Sequence, residues 1–237
     1  MKDNVISITE TTEDYLRAIY ELQEDRPYVS NLVLAERLNI KPASATGMVK
    51  RLADRKLVEY EPYQGVSLTE EGKRLALQVL RSHRLVELYL VEKLGVPWDQ
   101  VHAEADRWEH VLSDELADRM DLALGHPIYD PHGSPIPTRD GRIDQLDYTL
   151  LAELQTGQSA TVAVVQDQTP ALLRYLAEVG LTPGVSITVI DVAPFEGPLT
   201  LRLGQSDTQR VIGRNIAQKI ALVDIRDQRT NRVTKIV

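Results

Sequence analysis

The feature that most constrains this chain is a change of hydrophobic period. Apolar residues recur at helical spacing through residues 12 to 124 and alternate at strand spacing through residues 158 to 225. Between the two regimes runs GHPIYDPHGSPIPTRDG, residues 125 to 141, with four prolines and three glycines. Proline lacks an amide hydrogen and glycine lacks a side chain to pack. The segment therefore suits neither a helix interior nor a central strand and reads as a connection. The expected fold is mainly α with a small β domain. At 237 residues and 43% apolar content the chain can bury a core in each part.

The helical part opens with TTEDYLRAIYELQ, where Thr11 is placed to cap the helix with Asp14 three residues on, and Tyr15, Ile19 and Leu22 share one stripe. NLVLAERL, the break NIKP and PASATGMVKRLADRKL predict two short helices joined by a tight turn, with Pro42 in the first turn of the second. LVEYEPYQGVSLT predicts two short strands around PYQG. A helix pair followed by a hairpin is the plan of a winged helix-turn-helix.

The second of these helices is basic. Lys41, Lys50, Arg51, Arg55 and Lys56 face only Asp54, five minus one or +4, in a chain whose net charge is −8. That overall charge argues against a general nucleic-acid coat but leaves room for a local basic face. Ser44 and Thr46 are small donors, and Gly47 admits close approach of a backbone. The expected DNA-contacting set is Lys41, Pro42, Ala43, Ser44, Gly47, Lys50 and Arg51, with Tyr63 at the hairpin tip. The competing reading is a solvated helix face with Met48, Val49 and Leu52 packed inward, or a winged helix that binds protein.

Two long helical stretches follow, with Ser113 placed to cap a separate short helix. Within the second, HAEADRWEHV puts His102, Asp106, Glu109 and His110 at offsets 0, 4, 7 and 8, an arc of roughly 100° beside the apolar stripe of Val101, Ala105, Trp108 and Leu112. The preceding helix adds His83 and Glu87 at i, i+4. Imidazole with carboxylate suits a divalent cation of borderline hardness. A charged helix face is ordinarily just solvated, and Asp14 alone is accounted for by the helix dipole, so spacing leaves both readings open. His126 and His132 read as ordinary exposed loop residues. In the tail, SATVAVVQD, VSITVIDV, LTLRLG and KIALVDI fit a small barrel, and TPALLRYLAEVGL fits one inserted helix.

The chain has no cysteine, which excludes disulfides, thiolate metal sites and thiol nucleophiles. No apolar run reaches the length of a membrane span and the start has no signal-peptide plan, so a cytoplasmic protein without a membrane partner is expected. An enzyme is not expected: HExxH is absent, and WEHVLSDE sets its acid beside its histidine. The alternative regulator is a metal-independent winged helix that responds to a small organic effector.

TTEDYLRAIYELQE, KPASATGMVKRLADRKLV, SHRLVE, HAEADRWEHVLSDE and DPHGSPIP, taken in order, resemble the diphtheria toxin repressor family of metal-dependent regulators. The resemblance covers nearly all of residues 10 to 140 and extends more loosely over the tail, which is similar to that family's SH3-like (FeoA-like) domain. It implies a winged helix at 1–74, a helical metal-binding and dimerisation domain at 75–141 and an SH3-like domain at 142–237. It further implies a homodimer that represses transporter genes by binding a double-stranded operator once metal is loaded. Asp14, Asp106, Glu109 and His110 would form the primary metal site, and His83, Glu87 and His102 the ancillary one. The family also draws ancillary ligands from the third domain, where Gln166, Asp167 and Gln168 lie. Iron-type members have methionine at the position of Asp14 and cysteine at that of Asp106, whereas manganese-type members have carboxylates at both. That favours Mn2+, with Fe2+ as the alternative. Small manganese-type members carry glutamate where this chain has Arg17, which sets it apart from their close two-metal cluster.

Overall fold

The computed structural model describes residues 9–24, 26–61, 63–204 and 208–227; Pro62 of the expected PYQG turn lies outside them. The chain divides into two compact units. Among the described residues, the first comprises the chain through Val86, Ala105–Ala123 and Ile136–Ile143. The second comprises Glu87–Glu104, Leu124–Pro135 and the chain from Asp144 onward.

The first unit holds α1 (Glu10–Leu22), α2 (Asn31–Arg37), α3 (Pro42–Asp54), the hairpin β1 (Val58–Glu61) and β2 (Gly65–Leu68), most of α4 (Glu70–Leu94), the end of α5 (Val101–Trp108) and α6 (Asp114–Ala123). It is a winged helix followed by helices. Leu16, Ile19, Leu34, Val49, Leu52 and Val66 have no exposed surface. Each contributes about 1.5–3 kcal/mol by leaving water. The hairpin pairs Val58 with Leu68 and Glu61 with Gly65. It is tied back to the segment between α1 and α2 through reciprocal 2.9 Å bonds of Val29 and Val66. Gly65, at φ +129°, makes this approach possible, since a Cβ there would lie 2.4 Å from the Val29 carbonyl oxygen.

Two local expectations are corrected. The cap of α1 is Thr9, not Thr11: Thr9 has extended backbone and its Oγ1 accepts from the Thr12 amide at 3.3 Å. Thr12 is buried inside the first turn, so the helix begins two residues earlier, and Asp14, now in the second turn, is released from any capping role. The helix ahead of the expected Ser113 cap is also shorter than its spacing suggests. Helix α5 stops at Trp108, whose carbonyl takes both the Val111 and Leu112 amides at 3.1 Å. Helix α6 restarts under a Ser113 cap whose Oγ accepts from the Leu116 amide at 3.3 Å. Glu109 and His110 therefore sit in a turn, not on a helical arc.

The second unit holds the remainder of α4 and α5, the segment Leu124–Pro135 and a β domain. That domain consists of β3 (Thr149–Leu150), a 3-10 turn at Leu151–Glu153, β4 (Gln158–Val165), α7 (Pro170–Val179), β5 (Ser186–Val192), β6 (Leu199–Leu203), β7 (Gln209–Ile212), α8 (Arg214–Ala217) and β8 (Ile220–Asp227). The six strands form one antiparallel sheet in the order β3-β8-β4-β5-β6-β7. Alternate residues Ala160, Val162, Ile187, Val189, Leu199 and Leu201 turn inward onto Leu173 and Leu176 of α7. Pro170 starts α7, and Gly180, left-handed at φ +80°, ends it.

The proline-rich segment is more than a connection. Asp130, His132 and Ser134 are buried. Gly133 lies so close to β4 that a Cβ would come within 1.8 Å of the Ala163 carbonyl oxygen. The Val165 amide donates to the His132 carbonyl at 2.9 Å. Among the described residues no helix is long and apolar enough to cross a membrane.

Candidate metal centre

Helix α1 brings Glu13, Asp14 and Arg17 against the turn that follows α5. The Asp14 Oδ1 lies 3.0 Å from His110 Nε2, and Glu109 Oε1 lies 3.5 Å from the same nitrogen. One ligand atom each from Asp14, Glu109 and His110 fall within 4.8 Å of one another. Of the four residues expected at the primary site, these three converge. Asp106 takes a hydrogen bond from Arg17 Nη2 at 2.9 Å. Arg17 also donates from Nη1 to Glu109 Oε2 at 2.7 Å, and Glu109 Oε2 lies 2.5 Å from His83 Nδ1. Arg17 is thus an internal cation shared by Asp106 and Glu109.

The Glu109 side chain is wholly buried, with Oε2 engaged as above. Its Oε1 is also buried and, among the described residues, receives no hydrogen bond. A polar atom hidden from water without a partner costs about 1–3 kcal/mol, and a charged carboxylate oxygen costs more. The orphaned oxygen faces an imidazole nitrogen and a second carboxylate, and such a set has the donor chemistry of a divalent-cation site. The residues present therefore fit a metal ion. Burial works against a charge on His110, but the hydrogen bond to Glu13 and the charges of Glu109, Asp14 and Glu13 outweigh it and raise its pKa. Arg17 likewise overcomes burial through Glu109, Glu21 and Asp106, so its charge is held still more firmly.

Sequence spacing did not single out Glu13. Its Oε2 lies 2.6 Å from His110 Nδ1. Burial raises the Glu13 pKa against the pull of His110. An acidic first turn in α1 was visible in the sequence, but nothing there tied Glu13 to a histidine 97 residues away.

In the second unit, Glu87 and His102, both expected at the ancillary site, meet at 3.1 Å. His83, the third, belongs to the first unit and lies against Glu109 and Arg17. Around Glu87 the structure adds two residues that spacing missed: ligand atoms of Glu87, Asp130 and His132 lie within 4.8 Å of one another, and all three residues are buried. His132 is 0% exposed, which overturns its reading as an exposed loop residue. Its ring stacks on Trp98 at 5.6 Å between centroids, and its Nε2 donates to the Trp98 carbonyl at 2.9 Å. Its Nδ1 lies 3.8 Å from Glu87 Oε2. Asp130 is set by its own loop, with Oδ1 accepting from the amides of His132 and Ser134 at 2.8 and 2.9 Å. Burial opposes a charge on His132, but Glu87, Asp130 and the Trp98 carbonyl together raise its pKa. Two of the third-domain residues have other partners: Gln166 donates to Tyr148 Oη, while Asp167 pairs with Lys219 and accepts from the Thr169 amide.

On α3, Ala45, Met48, Val49 and Leu52 face inward, leaving Lys41, Pro42, Ala43, Ser44, Gly47, Lys50 and Arg51 exposed along one side. A Cβ added at Gly47 would meet nothing within 4 Å, so that surface is open. Tyr63 is fully exposed at the hairpin tip. Thr46 is not an outward donor: its hydroxyl donates to the Pro42 carbonyl and accepts from Asn31.

Residues 7–66 match the iron dependent repressor N-terminal DNA binding domain. Residues 69–138 match the iron dependent repressor metal binding and dimerisation domain, and residues 149–223 match the FeoA domain. The iron-dependent repressor IdeR of Mycobacterium tuberculosis is 35% identical over 195 residues, 77% of this chain and 84% of that protein. The diphtheria toxin repressor of Corynebacterium efficiens is 39% identical over 171 residues, 70% of this chain and 73% of that protein. A solved structure described as a manganese-dependent transcriptional repressor in complex with manganese superposes with a TM-score of 0.82 at 37% identity, covering 90% of this chain and 99% of that one. The structure of the manganese regulator SloR superposes with a TM-score of 0.70 at 30% identity, covering 90% and 97%. With a winged helix, a helical dimerisation domain and a FeoA-like β domain in this order, the chain belongs to the diphtheria toxin repressor family of metal-dependent transcriptional repressors.

Proposed function

We propose that this protein is a manganese-responsive repressor, not an enzyme, that acts in the cytoplasm as a homodimer on a double-stranded operator. The observation that carries the reading is the convergence of Asp14, Glu109 and His110 around a buried carboxylate oxygen that receives no hydrogen bond among the described residues. Two carboxylates and an imidazole, in a chain without cysteine, make an oxygen-rich set that favours Mn2+ over softer ions, with Fe2+ as the alternative.

A bound divalent cation supplies positive charge that these three residues share. Asp14 belongs to the same helical head as α3, whereas Glu109 and His110 belong to the turn between α5 and α6. In sharing one charge, Asp14 would hold α1 against that turn, and α1 would hold α2 and α3 with it through Leu16, Ile19, Leu34 and Val49. Arg17 holds Glu109 and Asp106 in place from the same helix. The outward side of α3 then presents Lys50 and Arg51 to phosphate and Ser44 to base edges. Half-sites of a palindrome lie about 34 Å apart per helical turn, so a dimer with fixed heads binds better than one with loose heads. Metal and operator affinities are then reciprocally linked.

The test is operator binding by fluorescence anisotropy with the protein's own promoter region, in EDTA, Mn2+, Fe2+ and Zn2+. Tight binding with Mn2+ and its loss in EDTA are expected. Binding that is indifferent to EDTA would point instead to a regulator that answers an organic effector.

A further inference from the structure

We propose that Glu13 is a positioning residue that fixes the tautomer and orientation of His110, and so presents a lone pair on His110 Nε2 to the metal centre. The inference deepens the reading of Asp14, Glu109 and His110 as a cation site and rests on it.

The two nitrogens of His110 have different surroundings. Nδ1 lies 2.6 Å from Glu13 Oε2. Nε2 lies 3.0 Å from Asp14 Oδ1 and 3.5 Å from Glu109 Oε1, the buried oxygen that lacks a hydrogen bond among the described residues. Both carboxylates accept and neither donates, so Glu13 and Asp14 compete for the proton of the neutral ring, and the shorter contact, 2.6 Å against 3.0 Å, sets it on Nδ1. The lone pair is then on Nε2, the atom that faces Asp14 and Glu109. Glu13 and Asp14 are successive residues of α1, yet they hold the two ends of one imidazole. Only 9% of the His110 side chain is exposed. A metal-binding histidine held by a carboxylate at its other nitrogen is a general device, and loss of such a partner costs roughly 10–100-fold in metal affinity.

The test compares Glu13→Ala with Glu13→Gln. Both remove the charge, but glutamine keeps an oxygen that accepts from Nδ1–H. Mn2+ affinity by isothermal titration calorimetry should fall about 10–100-fold in Glu13→Ala and only a few-fold in Glu13→Gln. An equal loss in both would make Glu13 a ligand or a mere source of charge and overturn the proposal, as would no loss in Glu13→Ala.

The second readout needs no metal. Long-range 15N–1H spectra of histidine-labelled, metal-free protein, recorded in alkaline buffer where the ring is neutral, should show His110 protonated on Nδ1. In Glu13→Ala the proton should move to Nε2, where Asp14 remains to accept it. A wild-type ring already protonated on Nε2, or one unchanged by Glu13→Ala, would refute the assignment. Wild-type protein that takes up no Mn2+ would defeat the metal reading alone, because the tautomer measurement stands without it.

Discussion

Glu109→Gln is the sharpest probe of the centre, because it changes one atom of a wholly buried side chain. In the wild type, Oε2 serves Arg17 and His83 while Oε1 faces His110 and Asp14. Glutamine has only one oxygen. If that oxygen stays with Arg17, the amide NH2 points at the place where a lone pair is needed. If it flips, an N–H meets the Arg17 N–H at the 2.7 Å contact. Either orientation leaves a buried mismatch of about 1–3 kcal/mol. Arg17 keeps Asp106, so the loss should stay below the roughly 3–5 kcal/mol of an outright broken buried pair. We expect about 2 kcal/mol, or a fall in Tm of roughly 4–8 °C in EDTA for a chain of this size. At the same time Mn2+ affinity should fall at least about 100-fold, equivalent to roughly 2.8 kcal/mol. Differential scanning calorimetry in EDTA and titration calorimetry with Mn2+ read the two effects separately. Unchanged Mn2+ affinity with an ordinary loss of stability would show that Glu109 is only a partner of Arg17, and the assigned centre would be wrong.

Asp14→Ala should abolish most Mn2+-dependent gain in operator affinity while sedimentation still shows a dimer; wild-type affinity in this variant would exclude α1 as the tethered element. Arg17→Gln should lower Tm in EDTA by leaving Glu109 without its fixed cation, and saturating Mn2+ should restore part of the difference by binding the folded state. A deficit that Mn2+ leaves untouched would mean that Arg17 and the ion do not share a carboxylate. Lys50→Ala or Arg51→Ala should reduce the salt slope of operator binding by about one, and an identical slope would place that residue off the phosphates. Gly133→Ala should destabilise the segment around His132, since its Cβ would meet the Ala163 carbonyl oxygen at 1.8 Å and the residue sits at φ +90°. A Tm within 1 °C of wild type, read against the slope used above, would refute that close approach.

Much of the architecture was legible because it rests on local rules. Helical spacing, Pro42 at the start of α3, Ser113 before α6 and the alternating runs of β4, β5, β6 and β8 each leave a signature within a dozen residues. Strands β3 and β7 did not, because two and four residues are too few for alternation to register. The cap at Thr9 was lost among three neighbouring threonines, where extended backbone at one of them decides the matter. The break after Trp108 was hidden for another reason. Glu109 and His110 are compatible with a helix, and only their partners in α1 and α4 reward leaving it.

The same distinction explains which site residues spacing could find. An i, i+4 rule detects groups on one helix, so it finds His83 with Glu87 and His102 with Asp106. It is blind to pairs made by tertiary contact. Glu13 meets His110 across 97 residues, and His132 approaches Glu87 only because Gly133 lets the loop lie against β4. His132 looked like a surface residue because it stands between prolines and glycines, which mark loops. That inference fails where the loop is itself packed: Asp130 takes two amides of its own turn, Trp98 covers the imidazole, and the ring is shut from water. Burial opposes a charge on this ring, but its partners Glu87, Asp130 and the Trp98 carbonyl outweigh burial and raise its pKa. Pro–His–Gly–Ser between an aspartate and Pro135 is therefore better read as a buried acid–imidazole turn than as a linker.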